Sequence, residues 1–346
     1  MTPAPERLAV ILPTWLGDCM MATPLLRALR KGLPGTSIVA VVGRGNAVVM
    51  EGLASVDEVV PIDKSSWLRS AATLKSTGCD AVLLLPNAFR WAAVARLAGV
   101  PRRIGYARDG RSWLLTDGVK PVMTGRWPRR THAIVPAIRH YLGLLTAFRL
   151  EPDGRRMDLA VTPNDDKAAD AVFISGGIGD ERLALFVPGG RYGSAKLWPT
   201  KHFADLSHKL VADRFRVLVS TAPGEEAVAE AIAADGDVTL LANHGLSLSA
   251  VKAIVGRCDL VVSNDTGARH LAVAAGTPTV TVFGPTDPQR TTLNAPREVE
   301  VFLDLDCQPC QQKLCPLPEP QTQRCLRDLS PQTVHEAALR LLKVEA

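Results

Sequence analysis

Asp259-Leu260-Val261-Val262, Ser263-Asn264-Asp265-Thr266-Gly267-Ala268-Arg269-His270 and Leu271-Ala272-Val273-Ala274-Ala275-Gly276 form one continuous stretch that decides the fold. It reads as strand, tight turn and helix. The apolar run ending at Val262 is short and β-branched, as a buried parallel strand is, and Thr277 to Phe283 supplies the next. Two parallel strands then flank a crossover helix. The turn puts a carboxylate, a hydroxyl and a glycine at a helix N-terminus, where free N–H groups and the dipole attract an anion. Two readings stand: Ser263, Asp265 and Thr266 cap the helix, or they belong to a ligand site. His270, one turn inside the helix, favours the second, because a core helix gains little from an imidazole.

The same alternation runs through the chain. Leu8 to Leu12 is a strand, followed by the loop Pro13 to Asp18 and a helix from Cys19 to Lys31. Ser37 to Val42, Glu58 to Val60 and Asp80 to Leu85 read as strands; Asn46 to Leu53, Ser66 to Ser76 and Phe89 to Ala98 read as helices. Turn formers at Glu151-Pro152-Asp153-Gly154, then polar residues around Pro163 and a short helix, place a domain boundary near residue 160. Beyond it the strands Leu183 to Val187, Arg216 to Ser220 and Asp237 to Leu241 alternate with helices Pro199 to Ala212, Glu225 to Ala234 and Leu248 to Gly256. A last helix starts at Ser330-Pro331 and runs through Lys343. The expected fold is α/β, with doubly wound parallel sheets in domains 1–160 and 161–346.

Composition narrows the classes. Of 346 residues 47% are hydrophobic and 22% charged, and no run of 18 apolar residues exists to span a bilayer. The apolar run at Leu8 to Leu12 is too short for a signal-peptide core, so a cytoplasmic protein is expected. The net charge of +5 is uneven: residues 90–149 hold 12 Lys and Arg against Asp109 and Asp117, hence +10 there and −5 elsewhere. With Trp91, Tyr106, Trp113 and Trp127 interleaved, this segment is either a solvated basic face or a contact for an anionic partner. It resembles no nucleic-acid recognition module, and no nucleic-acid partner is expected.

Four of the seven cysteines crowd together at Cys307, Cys310, Cys315 and Cys325. Cys307 and Cys310 have the gap of a zinc knuckle, but the later spacings match no zinc pattern, and reduced thiols in a loop are the competing reading. Cys19, Cys79 and Cys258 are expected in the core.

Three strand-end loops carry polar groups that a core does not need. Asp18 begins a helix, where it either offsets the dipole or serves as a base toward a hydroxyl. The loop from Pro188 to Pro199 is glycine-rich and carries Lys196, which suits a phosphate; it lacks the Gly-Lys-Ser/Thr ending of the P-loop. No Gly-x-Gly-x-x-Gly dinucleotide fingerprint is present, which argues against a nicotinamide dehydrogenase. In Ala222 to Glu226 a glutamate either receives ribose hydroxyls or caps a helix.

These residues carry a resemblance. Pro13-Thr14-Trp15-Leu16-Gly17-Asp18, Leu85-Pro86-Asn87-Ala88-Phe89, Ala98-Gly99-Val100-Pro101 with Gly105-Tyr106, Pro188-Gly189 through Lys196-Leu197-Trp198-Pro199, and Asn264-Asp265-Thr266-Gly267 with His270-Leu271-Ala272 occur in the order seen in glycosyltransferase family 9. The chain resembles the ADP-heptose:lipopolysaccharide heptosyltransferases, the heptosyltransferase II branch above all, over nearly its whole length. Its cysteine-rich stretch is similar to many members of that branch.

The resemblance implies a GT-B fold of two Rossmann-like domains, the acceptor on the first and the nucleotide sugar on the second. It also implies an inverting transfer with no metal or other cofactor. By position Asp18 resembles the catalytic base, Lys196 the diphosphate contact and Glu226, with Glu225 beside it, the nucleoside contact. Asp265, Thr266, Gly267 and His270 resemble the sugar and phosphate site. Ala268-Arg269 departs from the small or apolar residues common there, and an added cation beside the diphosphate leaves the donor open to change. The expected donor is ADP-heptose. The expected acceptor is an anionic lipid-linked saccharide, the lipopolysaccharide inner core, held by residues 90–149. Peripheral contact with the inner face of the cytoplasmic membrane through charge follows. The alternatives are a family 9 transferase with another donor or glycolipid acceptor, a sugar-nucleotide epimerase of similar fold, and a non-catalytic nucleotide-binding protein. Asp18, Lys196 and His270 together argue against the last.

Overall fold

Unbroken aliphatic and β-branched runs have no polar face to give to water, so they belong in parallel sheets covered on both sides. In the computed structural model, which describes residues 3–125, 131–190 and 192–343, they form two such sheets. The chain divides into two compact units, Met1–Ala160 with Gln289–Leu293 and Val161–Pro288 with Asn294–Ala346.

The first unit contains strands β1 (Arg7–Ile11), β2 (Ser37–Gly43), β3 (Glu58–Ile62), β4 (Ala81–Leu84), β5 (Arg102–Tyr106) and β6 (Asp117–Val119), all parallel in the order β3-β2-β1-β4-β5-β6. A small antiparallel ladder pairs β7 (Met123–Thr124) with β8 (Thr131–His132). The helices are α1 (Leu16–Met21), α2 (Thr23–Gly32), α3 (Trp67–Ser76), α4 (Phe89–Leu97) and α5 (Ala137–Leu142). Leu8 through Leu12 are fully buried, as a central strand requires. Strand order reverses between β1 and β4, which makes the loops after these two strands the natural ligand-facing crevice.

The second unit repeats the plan with β9 (Arg182–Val187), β10 (Phe215–Val219), β11 (Thr239–Leu240), β12 (Leu260–Asn264), β13 (Thr279–Val282) and β14 (Glu298–Val301), parallel in the order β11-β10-β9-β12-β13-β14. Its switch point lies between β9 and β12. Helices α6 (Pro163–Ser175), α7 (Thr200–Ala212), α8 (Glu226–Ala233), α9 (Leu248–Arg257) and α10 (Gly267–Ala275) connect the strands. Helix α6 starts in a full capping box, Thr162 with Asp165, and the buried Asp165 carboxylate also pairs with buried Lys252 of α9 at 2.9 Å. The C-terminal helix Pro331–Lys343 buries Val334, Ala337, Ala338 and Leu341, one helical stripe, in this unit's core. Gly276 ends α10 at φ +80°, a conformation that side chains disfavour.

Three local readings change. The helix expected from Cys19 to Lys31 is two helices, α1 and α2, parted at Ala22. Pro24 has no N–H to continue a ladder, and the Thr23 hydroxyl donates to the Met20 carbonyl at 2.8 Å. Helix α1 also starts earlier than expected, at Leu16, and takes Asp18 into its first turn. Residues expected as a helix from Asn46 to Leu53 form a 3-10 segment, Arg44–Val49. The short helix expected after residue 163 has 13 residues. Strands β5 and β14 were not in the alternation read from sequence. Their Arg-Arg and Glu-Val-Glu-Val compositions conceal them, because Arg102, Arg103, Glu298 and Glu300 make specific polar contacts instead of meeting water.

Candidate functional site

In the second unit three loops meet at the carboxyl ends of β9, β10 and β12. Asn264 ties two of them together: its Nδ2 donates to the Pro188 carbonyl at 2.6 Å, and its Oδ1 accepts from the Trp198 N–H at 3.4 Å. Lys196 ends a 3-10 turn, Ser194–Lys196, and its Nζ donates to Asp265 twice, to the backbone oxygen at 3.2 Å and to Oδ2 at 2.8 Å. Thr286 donates to the same Oδ2 at 2.9 Å, and Arg269 lies 3.3 Å from Oδ1. Burial pushes the Asp265 carboxyl up, but Lys196 and Arg269 outweigh it and hold it at about 2. It is an anion at any working pH.

Thr266 is the residue that leads into α10, yet its side chain makes no capping hydrogen bond; the hydroxyl sits 3.3 Å from that of Ser263. The capping reading of this turn is thereby weakened, and the first N–H groups of α10, from Gly267 on, remain suited to an anion. His270 is buried, and burial followed by the Arg269 charge holds it down at about 3, so it is a neutral imidazole. Its Nδ1 has no hydrogen-bond partner among the described residues.

The two glutamates of the third loop have different situations. The Glu225 carboxylate accepts the Gly190 N–H at 2.9 Å and the Ala222 N–H at 3.0 Å, joining the glycine-rich loop to the loop after β10. A side chain at Gly189 would collide with that carboxylate, its Cβ only 1.9 Å from Oε2, which explains the glycine. Glu226 is exposed and accepts the Gly224 N–H at 2.9 Å, within its own turn.

The cysteine-rich stretch packs on the glycine-rich loop. Tyr192 donates to the Gln311 carbonyl at 2.6 Å, Ala195 N–H to the Lys313 carbonyl at 3.1 Å, and Gln323 Nε2 to the Ser194 carbonyl at 3.1 Å. Lys196 Nζ lies 4.8 Å from the Tyr192 ring centroid. The four clustered cysteines are free thiols, and no set of three His, Cys, Asp or Glu side chains fit to hold a metal occurs among the described residues. Here the stretch supports a loop, a role that its spacing did not reveal.

Arg269 differs from the added cation expected beside the diphosphate. It is fully buried and shared among the carboxylates of Asp265, Glu298 and Glu300, with its guanidinium 4.8 Å from the Phe283 ring centroid. It is committed to anchoring α10 on β14, and is not a spare cation for the donor.

In the first unit Asp18 is half-buried in the first turn of α1 and receives the Tyr141 hydroxyl at 3.2 Å. Burial, and next the Asp18 charge, push the Tyr141 phenol far above its usual range, so it stays a donor. Lys64 Nζ reaches Thr14 Oγ1 at 3.2 Å and Asn46 Nδ2 the Thr14 carbonyl at 2.9 Å, fixing the loop before Asp18. After β4, Asn87 Oδ1 accepts from buried Arg111 at 3.2 Å, so Nδ2 faces His140 Nε2, 3.1 Å away. His140 stacks on Tyr106 with centroids 4.3 Å apart. Burial, then Arg108 and Arg111, hold His140 at about 4, which makes Nε2 the acceptor.

Part of the basic segment is thus structural. Arg102 pairs with Asp117 at 3.0 Å, Arg103 donates to the carbonyls of Leu114 and Val100, and Arg111 is buried. Arg126, Trp127, Arg129 and Arg130 lie outside the described residues.

A family model described as glycosyltransferase family 9 (heptosyltransferase) matches residues 67–320. The chain belongs to glycosyltransferase family 9. It is 26% identical over 298 residues to lipopolysaccharide heptosyltransferase 2 of Escherichia coli K12, covering 82% of this chain and 84% of that protein. Lipooligosaccharide heptosyltransferase 2 of Campylobacter jejuni (strain ATCC 700819 / NCTC 11168) is 23% identical, over 97% of this chain and 98% of the relative. The solved structure of E. coli ADP-heptose LPS heptosyltransferase II superposes with a TM-score of 0.79 at 24% identity, over 98% and 99% of the two chains. A family 9 structure from Veillonella parvula gives 0.81 at 21%, over 99% and 98%. The fold of this family 9 member is therefore GT-B, with two open, parallel, Rossmann-like sheets, and the protein is a glycosyltransferase enzyme. No helix among the described residues is long and apolar enough to cross a membrane.

Of the residues singled out in the family 9 motifs, Lys196, Asp265, Thr266, Gly267 and His270 come together around the N-terminus of α10. Glu226 stands apart from these contacts, whereas Glu225 makes the link between loops. Tyr141, Lys64 and Thr286 were missed. Each meets its partner across 21 to 123 residues of chain, and no local pattern marks such a pairing.

Proposed function

We propose that the protein is an inverting heptosyltransferase that moves a heptose from ADP-heptose to the inner core of lipopolysaccharide. The observation that carries this reading is the arrangement of Lys196, Asp265 and the uncapped start of α10, a cationic and N–H-lined cradle suited to a diphosphate, in a family 9 chain. The names of its heptosyltransferase relatives support the donor and acceptor. In this reading the second unit binds the nucleotide sugar and the first unit binds the acceptor.

The acceptor hydroxyl oxygen attacks the anomeric carbon while the bond from that carbon to the diphosphate oxygen breaks. Asp18 takes the hydroxyl proton, and ADP leaves with its growing charge met by Lys196 and the N–H groups after Asp265. Asp265, held ionised, fixes Lys196 in position. Thr266, Gly267 and the neutral His270 complete the sugar and phosphate site, and Glu225 or Glu226 contacts the nucleoside. The acceptor is an anionic lipid-linked saccharide, and the protein works in the cytoplasm with peripheral contact at the inner membrane face.

Calorimetric titration with ADP-heptose, ADP-glucose and a UDP-sugar tests the donor. Preferential binding of ADP-heptose is expected, and preference for another nucleotide sugar would replace the donor while keeping the family. Release of product from ADP-heptose without acceptor, as free or isomerised sugar, would favour epimerase-like chemistry instead.

A further inference from the structure

Large aromatic side chains seldom face water in numbers, because each exposed ring forgoes the transfer free energy of a large apolar surface. Along the carboxyl edge of the first sheet they do. Trp67 and Leu68 open α3, Phe89 opens α4, and Trp113 sits in the 3-10 turn Ser112–Leu114 beyond β5; their exposures are 43%, 75%, 39% and 75%. Trp67, Leu68 and Phe89 lie in the first turns of helices that follow β3 and β4, and the contact of the Phe89 and Trp113 rings brings Trp113 beside them. They are also contiguous: α3 packs on α4, α4 packs on the Ser112–Leu114 turn, and the Phe89 and Trp113 rings lie 6.2 Å apart. Asp18, proposed as the base, is not among them.

Cations surround the rim. Arg44, Lys64 and Arg108 lie in the segments after β2, β3 and β5, and Arg69 and Arg90 in the first turns of α3 and α4; Arg69 pairs with Asp63 and Arg108 with Asp109, and residues 1–160 carry 22 Lys and Arg against 12 acids. Arg90 bridges α4 to α3 through Ser70 Oγ at 3.4 Å and lies over the Trp91 ring. Aromatic rings flanked by basic groups match the headgroup level of an anionic bilayer, where rings take the apolar boundary and cations the lipid phosphates.

We propose that Trp67, Leu68, Phe89 and Trp113 form the face by which this protein rests on an anionic bilayer, their side chains entering the headgroup layer. This deepens the membrane contact proposed above, which invoked charge alone, and it rests on that reading for its biological sense. The test requires neither acceptor nor turnover, so it succeeds or fails separately from the transferase assignment.

The experiment is sedimentation of the full chain with phosphatidylcholine vesicles with and without phosphatidylglycerol, at low and high salt. Binding is expected to require phosphatidylglycerol and to weaken with salt. The Trp67→Ser/Leu68→Ser/Trp113→Ser variant is expected to lose about tenfold or more of the partition coefficient. Quenching of the unmutated protein's tryptophan fluorescence by lipids brominated along the acyl chain, which needs no variant to fold, is expected as well. Equal binding by variant and parent, or no quenching, overturns the proposal in favour of contact by charge alone. Binding confined to vesicles carrying the saccharide acceptor overturns it in favour of an acceptor subsite. A dimer lost in the triple variant, without vesicle binding by the parent, overturns it in favour of an interface between copies.

Discussion

The hydroxyl of Tyr141 donates to Asp18 Oδ1 at 3.2 Å, across 123 residues of sequence. The buried phenol orients the carboxylate proposed as the base, and its proton is not available for transfer. Asp18→Asn is expected to reduce kcat by about 10² to 10⁴. Tyr141→Phe keeps the ring and removes the donor, and is expected to lower kcat by about tenfold or less with little change in KM for the donor. Steady-state kinetics with both substrates measures this, and an unchanged kcat in Asp18→Asn would remove Asp18 from the reaction.

Lys196 is placed by Asp265 to meet charge that grows on a leaving diphosphate. Lys196→Ala is expected to reduce kcat by about 10² to 10³, the effect of losing one donor to a developing anion. Asp265→Asn is expected to weaken ADP binding as well, because Lys196 loses the partner that fixes it. Calorimetry with ADP alone separates this binding loss from the chemical step.

Glu225 and Glu226, neighbours in sequence, are expected to respond differently. Glu225→Ala leaves the Gly190 and Ala222 N–H groups without their acceptor and is expected to cost about 1–3 kcal/mol, together with weaker nucleotide binding. Glu226→Ala, on an exposed helix start, is expected to leave the urea midpoint essentially unchanged. Urea unfolding compares them, and a nucleotide-binding loss confined to Glu226→Ala would assign it the nucleoside contact.

Arg269→Met leaves Asp265, Glu298 and Glu300 crowded without their shared cation and is expected to destabilise the second unit by about 3–5 kcal/mol. Adding Glu298→Gln and Glu300→Gln should restore much of that loss by removing the buried charges. Selectivity among ADP-sugars should be unaffected in the restored variant. A changed donor preference there would return Arg269 to the ligand.

His270 is buried as a neutral ring held at about 3, against about 6.5 in an unfolded chain. Between these values the unfolded chain takes up the proton and the folded one does not. Stability of the second unit should therefore fall as pH drops below about 6.5, until the folded ring protonates near 3. His140, held at about 4, gives the first unit the same sign over a narrower window. Urea midpoints followed from pH 7 to 5 should flatten in His270→Gln relative to the parent.

The sequence by itself determined the two alternating α/β halves, since aliphatic runs such as Leu8 to Leu12 and Leu260 to Val262 can be satisfied only inside parallel sheets. It also determined the ordered motifs around Asp18, Lys196 and Asn264 to His270, because a turn between a buried strand and a helix N-terminus is a local pattern. It could not reveal the use made of charge. In the sequence Arg269 looks like an added cation, but Glu298 and Glu300, some 30 residues later, pair with it. Arg102, Arg103 and Arg111 belong to a segment that looks basic in the sequence, but carbonyl and carboxylate partners take up their guanidinium groups. The division of roles between Glu225 and Glu226 turned on which carboxylate reaches Gly190, 35 residues earlier. Hydrophobic burial leaves a periodic trace along the chain, whereas a hydrogen bond or ion pair between distant residues leaves none, so only the tertiary structure decided those pairings.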